Sequence, residues 1–376
     1  MLIGVPRETA EGELRVACTP TTTRRLAGLG LDVAVESGAG AGSAFRDEDY
    51  EAAGASVDAA GARVRGADIV LRVRRPEEDE VERLAASAVH MSFLDPFREA
   101  ALIRRLADRG VTAVSMEMIP RTTRAQKMDA LSSQASLAGY VTVIQASFHS
   151  PRIFPMMMTP AGTIPPARVF VIGAGVAGLQ AIATAKRLGA RVEAFDTRPS
   201  VAEQVRSLGA RFVEIDIGEA GETEQGYAKA LTPEQIAMQQ EGMKRVIAGS
   251  DVVITTAQVF GRPAPRIVTR EMVEAMQPGS VVVDMAVESG GNVEGSELDR
   301  IVDVGGVTVL GQGNLPSAVA RNASEMYAAN LAHFVEEFWD AEAGALRLDP
   351  EDDIVASAVV AREGAVLGVA AESLAK

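Results

Sequence analysis

The sharpest chemical pattern in the sequence is a glycine-rich turn between an apolar run at residues 169–172 and a helical segment. Three glycines follow the spacing G-x-G-x-x-G, and the next apolar run ends in an acid; they are Gly173, Gly175, Gly178 and Asp196. We expect the first glycine to make a tight turn, the second to admit a pyrophosphate, and the third to let helix and strand pack closely. The helix N-terminus then offers free N–H groups to an anion. This combination predicts a dinucleotide-binding site, although a purely structural glycine turn remains an alternative.

Two residues bear on which dinucleotide is bound. The carboxylate of Asp196 can accept hydrogen bonds from the hydroxyls of an adenosine ribose, and it would repel a 2′-phosphate. Arg198 follows two residues later and is the kind of side chain that accepts a 2′-phosphate. The sequence therefore favours NAD(H), with NADP(H) as the alternative.

A second concentration of polar side chains, at residues 121–134, follows Pro120 at a predicted strand-to-helix junction. An arginine, an amide and a carboxylate in one segment suit a nicotinamide carboxamide and its ribose. If the helix begins near Gln126, then Gln126, Asp129 and Ser133 share one face. An ordinary helix start with a capping residue explains the same residues equally well.

The hydrophobic pattern predicts which elements position these residues. Strand-like and helical runs alternate over residues 1–115 and again over residues 167–310, which is typical of parallel, doubly wound sheets. We therefore predict an α/β fold with two Rossmann-like domains and a cleft between them. Residues 1–135, completed by a C-terminal helical region at about 324–376, form the first domain, and residues 136–323 form the NAD-binding domain.

Composition narrows the function further. The net charge of −14 argues against nucleic acid, because phosphate contacts require a basic surface. The single cysteine, Cys18, allows no internal disulfide, and the three histidines lack metal-ligand spacing. Neither a signal peptide nor a membrane span is recognised, so we expect a cytoplasmic chain. The methionines at 156–158 are expected to pack in a core.

The chain resembles the NAD(H)-binding component, the soluble first domain of the alpha subunit, of proton-translocating NAD(P) transhydrogenases. The resemblance extends from the N-terminus to about Trp339. Its most specific motifs are RAQ-x-MD at 124–129, MMMT at 156–159 and QAIATAKRLGA at 180–190.

The resemblance implies a set of site residues. The catalytic positions, which hold the nicotinamide end, are Arg121, Gln126 and Asp129. The other positions that contact NAD(H) are Lys127, Met128, Ser132, Val176, Asp196, Thr197, Arg198 and Gln258. In that family a mobile loop closes over bound nucleotide, and its positions here are Gly226 and Tyr227.

The resemblance also implies partners. In the family, hydride passes from NADH to NADP⁺ bound on a separate NADP(H)-binding subunit, and a membrane-embedded proton-channel subunit couples the transfer to proton translocation. We therefore expect a homodimeric, cytoplasmic subunit that is peripheral to the inner (plasma) membrane through its partner subunits.

Alanine dehydrogenase, a related enzyme, is the main alternative. Arg15 matches its substrate-carboxylate arginine, but its lysine is replaced within the run at residues 72–75 by arginine. Asp95 stands where that enzyme has its catalytic histidine, and Glu288 stands where it has a catalytic aspartate. The nearby histidine of this chain, His90, is expected to be buried in a strand. Amino-acid dehydrogenation needs a base of tuned pKa, and arginine is too basic. Hydride exchange between two nicotinamides needs positioning only. A non-catalytic NAD-sensing module is a third possibility.

Overall fold

The computed structural model describes residues 1–215 and 232–375. Two compact units make up the chain: unit 1 is Met1–Gln134 with Ser317–Lys376, and unit 2 is Ala135–Pro316. The predicted loop positions Gly226 and Tyr227 lie outside the described residues.

The strands and helices are numbered in chain order. The strands are β1 (Leu2–Val5), β2 (Asp32–Glu36), β3 (Ser56–Asp58), β4 (Ile69–Leu71), β5 (Val89–Ser92), β6 (Thr112–Ser115), β7 (Met157–Thr159), β8 (Gly162–Ile164), β9 (Arg168–Ile172), β10 (Arg191–Phe195), β11 (Arg211–Phe212), β12 (Val252–Thr255), β13 (Val281–Asp284), β14 (Ile301–Val304), β15 (Val307–Leu310), β16 (Trp339–Asp340), β17 (Ala345–Leu346), β18 (Val359–Arg362) and β19 (Ala365–Val366). The α-helices are α1 (Pro20–Gly28), α2 (Asp47–Glu51), α3 (Ala62–Arg65), α4 (Glu78–Val81), α5 (Ala100–Asp108), α6 (Ala130–His149), α7 (Val176–Arg187), α8 (Ala202–Ser207), α9 (Pro233–Ala248), α10 (Arg270–Glu274), α11 (Ala320–Phe338), α12 (Asp353–Ala358) and α13 (Gly368–Leu374).

Unit 1 is built on an eight-stranded sheet in the order β19-β18-β6-β5-β4-β1-β2-β3. Strands β1 to β6 pair in parallel, whereas β18 runs antiparallel to both β6 and β19. Every residue of β4 and β5 is buried, as expected for central strands of a parallel sheet covered on both faces.

The described part of unit 2 contains a seven-stranded sheet in the order β11-β10-β9-β12-β13-β15-β14. All neighbours pair in parallel except β14 and β15. Strands β12 and β13 are wholly buried, and the apolar residues of β9 and β10 lie on both sides of the sheet in two hydrophobic clusters. The two mainly parallel sheets confirm the predicted fold class.

Two local predictions were wrong. Helix α6 begins at Ala130, not near Gln126, because Asp129 has ψ 87° and interrupts the helix; residues Gln126–Met128 form a separate 3₁₀ turn. Met156, Met157 and Met158 are exposed, and the last two belong to β7. All six strand residues of the β7–β8 hairpin are exposed. They form a surface hairpin because, within the described ranges, β7 and β8 pair with each other and with no further strand.

None of the helices within residues 1–215 and 232–375 has the length and hydropathy needed to cross a membrane. Over the same ranges, no cluster of three or more His, Cys, Asp or Glu side chains is arranged to hold a metal ion.

Candidate functional site

The glycine loop of unit 2 joins the buried strand β9 to helix α7. Gly173 has φ +99°, a conformation that L side chains rarely adopt, and a Cβ there would lie 2.5 Å from Oγ1 of Thr256. A Cβ on Gly178 would lie 1.9 Å from the carbonyl oxygen of Gly173. Around Gly175, by contrast, no described atom beyond its immediate chain neighbours comes within 4 Å of the Cβ position. Gly173 and Gly178 therefore allow the loop to pack closely, and Gly175 leaves open space beside its backbone.

Helix α7 presents its N-terminus at this open space. Gly175 is the N-cap and supplies no side-chain cap to the N–H groups of the first turn, which begins at Val176. Uncapped N–H groups and the helix dipole together favour an anion at this position. The arrangement can therefore hold a phosphate or pyrophosphate without any basic side chain.

Asp196 follows strand β10 and is tied to the glycine loop. Its Oδ2 accepts a hydrogen bond from the backbone N–H of Ala174 at 2.7 Å, and its Oδ1 accepts one from the backbone N–H of Arg198 at 2.9 Å. The Arg198 guanidinium donates from Nε to Oδ1 and from Nη2 to Oδ2, both at 3.0 Å. A carboxylate has about four acceptor positions, so these bonds fill them all. A ribose hydroxyl can therefore bind Asp196 only by replacing one of these donors. Thr197 lies between the two and is half-buried.

A buried polar network behind the loop was not identified from the sequence. The hydroxyl of Thr256 donates to the carbonyl of Gly173 at 3.1 Å. Asn292 binds both backbone groups of Ala257, accepting at 3.0 Å and donating at 2.8 Å. Asp284, which is wholly buried, accepts hydrogen bonds from the backbone N–H groups of Asn292 and Val293, both at 3.1 Å. Strands β12 and β13 thus fix the loop that borders the glycine turn.

Gln258, a predicted contact, follows this fixed loop. It is exposed, and its Nε2 donates to the carbonyl of Met285 at 3.4 Å. A sequence signal for the network existed in the polar residues that follow two buried strands, Thr256 after β12 and Asp284 at the end of β13.

In unit 1, Asp129 lies at the centre of the second polar cluster. Its carboxylate accepts a hydrogen bond from the backbone N–H of Ser132 at 2.9 Å and another from the Ser132 hydroxyl at 2.6 Å. Arg121 Nε lies 3.9 Å from Asp129 Oδ2. Asp129 therefore begins α6 as a capping residue and also holds an arginine and a hydroxyl together. The capped helix start is thus observed, and an arginine, a carboxylate and a hydroxyl lie together beside it.

The other residues singled out in the segment 121–134 differ from Asp129 in their burial and in their partners. Gln126 is exposed on the 3₁₀ turn and is separated from the α6 face that was predicted to carry it. Met128 is wholly buried and its side chain packs in the core of unit 1. Lys127 Nζ forms an ion pair with Glu337 at 2.8 Å. Ser133 is buried and donates to Asn330 Oδ1 at 2.7 Å.

Arg15 is held by side chains of the same unit. Glu13 accepts hydrogen bonds from its Nε at 2.7 Å and Nη2 at 2.6 Å, and Gln134 accepts one from its Nη1 at 2.9 Å. Glu13 also pairs with Arg74 at 2.9 Å. Burial alone would raise the pKa of Glu13, but the hydrogen bonds and charges of the two arginines outweigh it and hold the pKa at about 2.

His90 is not placed to supply the base that amino-acid dehydrogenation needs. It is wholly buried in β5, as predicted, with Nε2 3.0 Å from the Ser92 hydroxyl. Burial, assisted by the charge of Arg72, lowers its pKa to about 3, so it stays neutral at pH 7. Asp95 has φ 49°, and its backbone N–H donates to Glu117 Oε1 at 2.6 Å. Arg72 is buried and pairs with Glu80.

Comparison with known proteins identifies relatives over nearly the whole chain. Residues 4–138 match the family model described as Alanine dehydrogenase/PNT, N-terminal domain, and residues 142–368 match the C-terminal domain of the same family. The first section of the divided NAD(P) transhydrogenase subunit alpha of Rhodospirillum rubrum is 46% identical over 375 residues, covering 98% of this chain and 98% of that protein.

A solved structure and an alanine dehydrogenase sequence are also similar to the chain over nearly its whole length. The crystal structure of transhydrogenase from Sinorhizobium meliloti has a TM-score of 0.88 and 46% identity, and covers 98% of this chain and 100% of its own. An alanine dehydrogenase of Halomonas elongata is 32% identical over 97% of this chain and 94% of its own length. The two transhydrogenases thus share more identity with the chain than this alanine dehydrogenase does.

Proposed function

The chain belongs to the alanine dehydrogenase/PNT family, and on that basis we propose that it is the NAD(H)-binding component of a proton-translocating NAD(P) transhydrogenase. The observation that carries the proposal is the cluster of Arg121, Asp129 and Ser132, which can orient a nicotinamide. The histidine of β5, His90, is buried and neutral, so it does not serve as a base.

The reaction moves a hydride from one nicotinamide to another, and no proton is transferred at the reacting carbons. NADH gives up a hydride from its nicotinamide C4 and becomes NAD⁺, while NADP⁺ accepts it and becomes NADPH. Such a transfer is accelerated by holding the two rings at the correct distance and angle. Arg121, Gln126 and Asp129 orient the carboxamide and ribose of the nicotinamide half, with Lys127, Met128 and Ser132 in the same segment; the buried side chain of Met128 contributes by supporting the turn.

The glycine loop of unit 2 binds the other half of NAD(H). The backbone around Gly175 and Val176 at the start of α7 holds the pyrophosphate, and Asp196, Thr197 and Arg198 contact the adenosine ribose. Because Asp196 is already saturated by hydrogen bonds, the ribose replaces part of the Arg198 contact. Gln258, Gly226 and Tyr227 complete the proposed set of contacts.

Partner subunits follow from the proposed reaction. NADP(H) binds on a second subunit, and a membrane-embedded third subunit couples hydride transfer to proton translocation. The Rhodospirillum rubrum relative is itself named as one section of an alpha subunit, which supports a divided assembly. The chain itself would be cytoplasmic and peripheral to the inner membrane through these partners.

Exposed apolar surface in unit 2 supports a homodimer. The hairpin residues Met156 and Met158 are 59% and 72% exposed. On α6, Tyr140, Ile144 and Phe148 are also exposed, and their four-residue spacing places them on one face. Apolar surface of this kind marks association sites, and a second copy of this chain is the proposed occupant. Sedimentation of the purified chain tests this, and a monomer at micromolar concentration would contradict it.

The proposed function is tested by hydride exchange. The purified chain is mixed with the NADP(H)-binding component of a related transhydrogenase, and reduction of an NAD analogue by NADH is followed in the presence of NADP. We expect rapid exchange that requires both proteins. A sample that binds NADH but shows no exchange would favour the alanine dehydrogenase alternative, and the absence of exchange with any partner or substrate would favour the NAD-sensing module.

Alanine dehydrogenase activity is the second candidate, because Arg15 stands at the position of the substrate-carboxylate arginine. Its guanidinium is engaged on all three nitrogens by Glu13 and Gln134, so a substrate carboxylate would have to displace them. Turnover of NADH with pyruvate and ammonia would establish this reaction; we expect none.

A further inference from the structure

Asn330 on α11 connects two parts of the polar segment of unit 1. It is 7% exposed, and both ends of its side-chain amide are used. Nδ2 donates to the carbonyl of Lys127 at 2.9 Å, and Oδ1 accepts from the hydroxyl of Ser133 at 2.7 Å. Lys127 is in the 3₁₀ turn and Ser133 is in the first turn of α6, so one side chain joins the two elements.

The two anchored residues enclose Asp129. Lys127 precedes it by two positions and Ser133 follows it by four. Ser133 also donates its backbone N–H to the carbonyl of Asp129 at 3.2 Å. Because the chain is fixed on both sides, the direction of the Asp129 carboxylate toward Arg121 and Ser132 depends on where Asn330 holds the turn.

Helix α11 contacts the segment a second time through Glu337. This carboxylate pairs with Lys127 Nζ at 2.8 Å and with Arg124 Nε at 2.9 Å. Both cations are nearly half exposed, and exposed ion pairs contribute little because water screens them. The buried amide bonds of Asn330 are harder to lose, since their removal leaves buried polar groups unsatisfied. Asn330 is therefore the stronger of the two constraints.

We propose that Asn330 is a positioning residue for hydride transfer, which acts by fixing the 3₁₀ turn and the start of α6 so that Gln126, Asp129 and Ser132 present one geometry to the nicotinamide. The inference rests on the proposed function. If the inference is correct, loss of the Asn330 amide changes how the nicotinamide half of NADH fits and leaves binding of the adenosine half unaffected.

Asn330→Asp is the test variant, because it keeps the size and the acceptor for Ser133 but removes the Nδ2 donor. We expect the hydride-transfer rate to fall about tenfold or more, since transfer is sensitive to small misplacements. The affinity for ADP-ribose, which lacks the nicotinamide, should stay within about twofold, whereas the affinity for NADH should fall more than that for ADP-ribose. Asn322→Asp, an exposed asparagine on the same helix, is the matched control and should behave as the wild type.

The variants separate positioning from folding. Glu337→Gln removes only the half-exposed ion pairs and should lower the rate less than Asn330→Asp does. Asn330→Asp with wild-type rate, or with equal losses of affinity for NADH and ADP-ribose, would overturn the inference. Wild-type protein without exchange would refute the proposed function instead, and in that case the ratio of NADH to ADP-ribose affinity still decides the role of Asn330.

Discussion

At the scale of single residues, two aspartates already have structural partners before any ligand binds. Asp129 caps α6, and Asp196 accepts four hydrogen bonds from the glycine loop and Arg198. Their types and positions were singled out from the sequence, because an aspartate suits both a helix cap and a ribose contact. The hydrogen bonds that already engage both carboxylates were not predicted, since they depend on which donors the fold brings within hydrogen-bond distance. A nucleotide bound at these carboxylates, as proposed, would exchange existing hydrogen bonds for new ones.

Arg121→Ala should separate binding from chemistry. Removing the guanidinium that lies beside Asp129 should lower hydride transfer by roughly tenfold or more, because a charged group that is proposed to orient the nicotinamide is lost. The affinity for NADH should change much less, since the residues proposed to contact the adenosine belong to unit 2. Stopped-flow exchange and NADH fluorescence titration measure the two quantities. Arg104→Ala, an exposed arginine on α5, is the control; full turnover by Arg121→Ala would show that the assigned nicotinamide site is wrong.

Arg198→Ala should change nucleotide choice. Loss of the guanidinium frees acceptor positions on Asp196 for the ribose hydroxyls of NADH and removes a cation of the kind that accepts a 2′-phosphate. We expect the affinity for NADPH to fall about tenfold relative to that for NADH, in line with one charge-assisted hydrogen bond. Parallel titrations with both nucleotides measure this ratio, and Arg206→Ala, an exposed arginine on α8, should leave it unchanged. An equal change for both nucleotides would contradict the assignment.

At the scale of elements, the regular βα alternation was predictable and the irregular pieces were not. Strands β10 and β15 lie within the alternation predicted over residues 167–310, because buried apolar runs between turn residues have a strong pattern. The region at about 324–376 was predicted to be helical, yet it also contains β18 and β19, which extend the sheet of unit 1. Both are short, and their turn is Glu363-Gly364, in which a glutamate takes φ 52°. Pairing with β6 is a long-range interaction that no local pattern encodes.

Two glycine variants should separate the fold of the loop from its ligand contact. Gly178→Ala places a Cβ 1.9 Å from a carbonyl oxygen, so the chain should lose a few kcal/mol of stability and bind NADH poorly. Gly175→Ala meets no described protein atom within 4 Å and should keep the wild-type melting temperature. It should still lose NADH affinity, by about tenfold, if the pyrophosphate occupies that space. Calorimetry with and without NADH measures both effects; unchanged affinity in Gly175→Ala would remove the pyrophosphate from this position.

At the scale of the whole molecule, the two units have separate polar clusters with different chemistry. The cluster of unit 1 consists of the side chains of Arg121, Asp129 and Ser132, and the same unit keeps His90 and several charged groups buried. Unit 2 contributes backbone N–H groups at a helix N-terminus, supported by Asp284 and Asn292. The sequence predicted both clusters but not the residues that support them, because Asn330 and Asn292 reach across from other parts of the chain.

Acid should destabilise the fold through His90. Burial lowers its pKa in the folded chain to about 3, from an ordinary value of 6.5. Between these values the unfolded chain binds more protons, so stability is retained above pH 6.5 and is lost as the pH falls toward 3. At a pH of about 4.5 the loss should be about 2 to 3 kcal/mol relative to a pH of about 7.5, and His90→Gln should show a smaller loss. Urea unfolding at both pH values tests this, with His149→Gln as the control; identical losses in wild type and His90→Gln would contradict it.

The most direct measurement of the central claim follows isotope from one nucleotide to the other. NADH carrying deuterium at the transferred C4 position is incubated in ordinary water with the chain, its NADP(H)-binding partner and NADP⁺, and the NADPH formed is analysed by mass spectrometry. Direct hydride transfer predicts that the deuterium appears in NADPH, and that its appearance requires both proteins and falls in Arg121→Ala. NADPH without deuterium, or deuterium passed only to pyruvate in the presence of ammonia, would contradict the assignment as a transhydrogenase component.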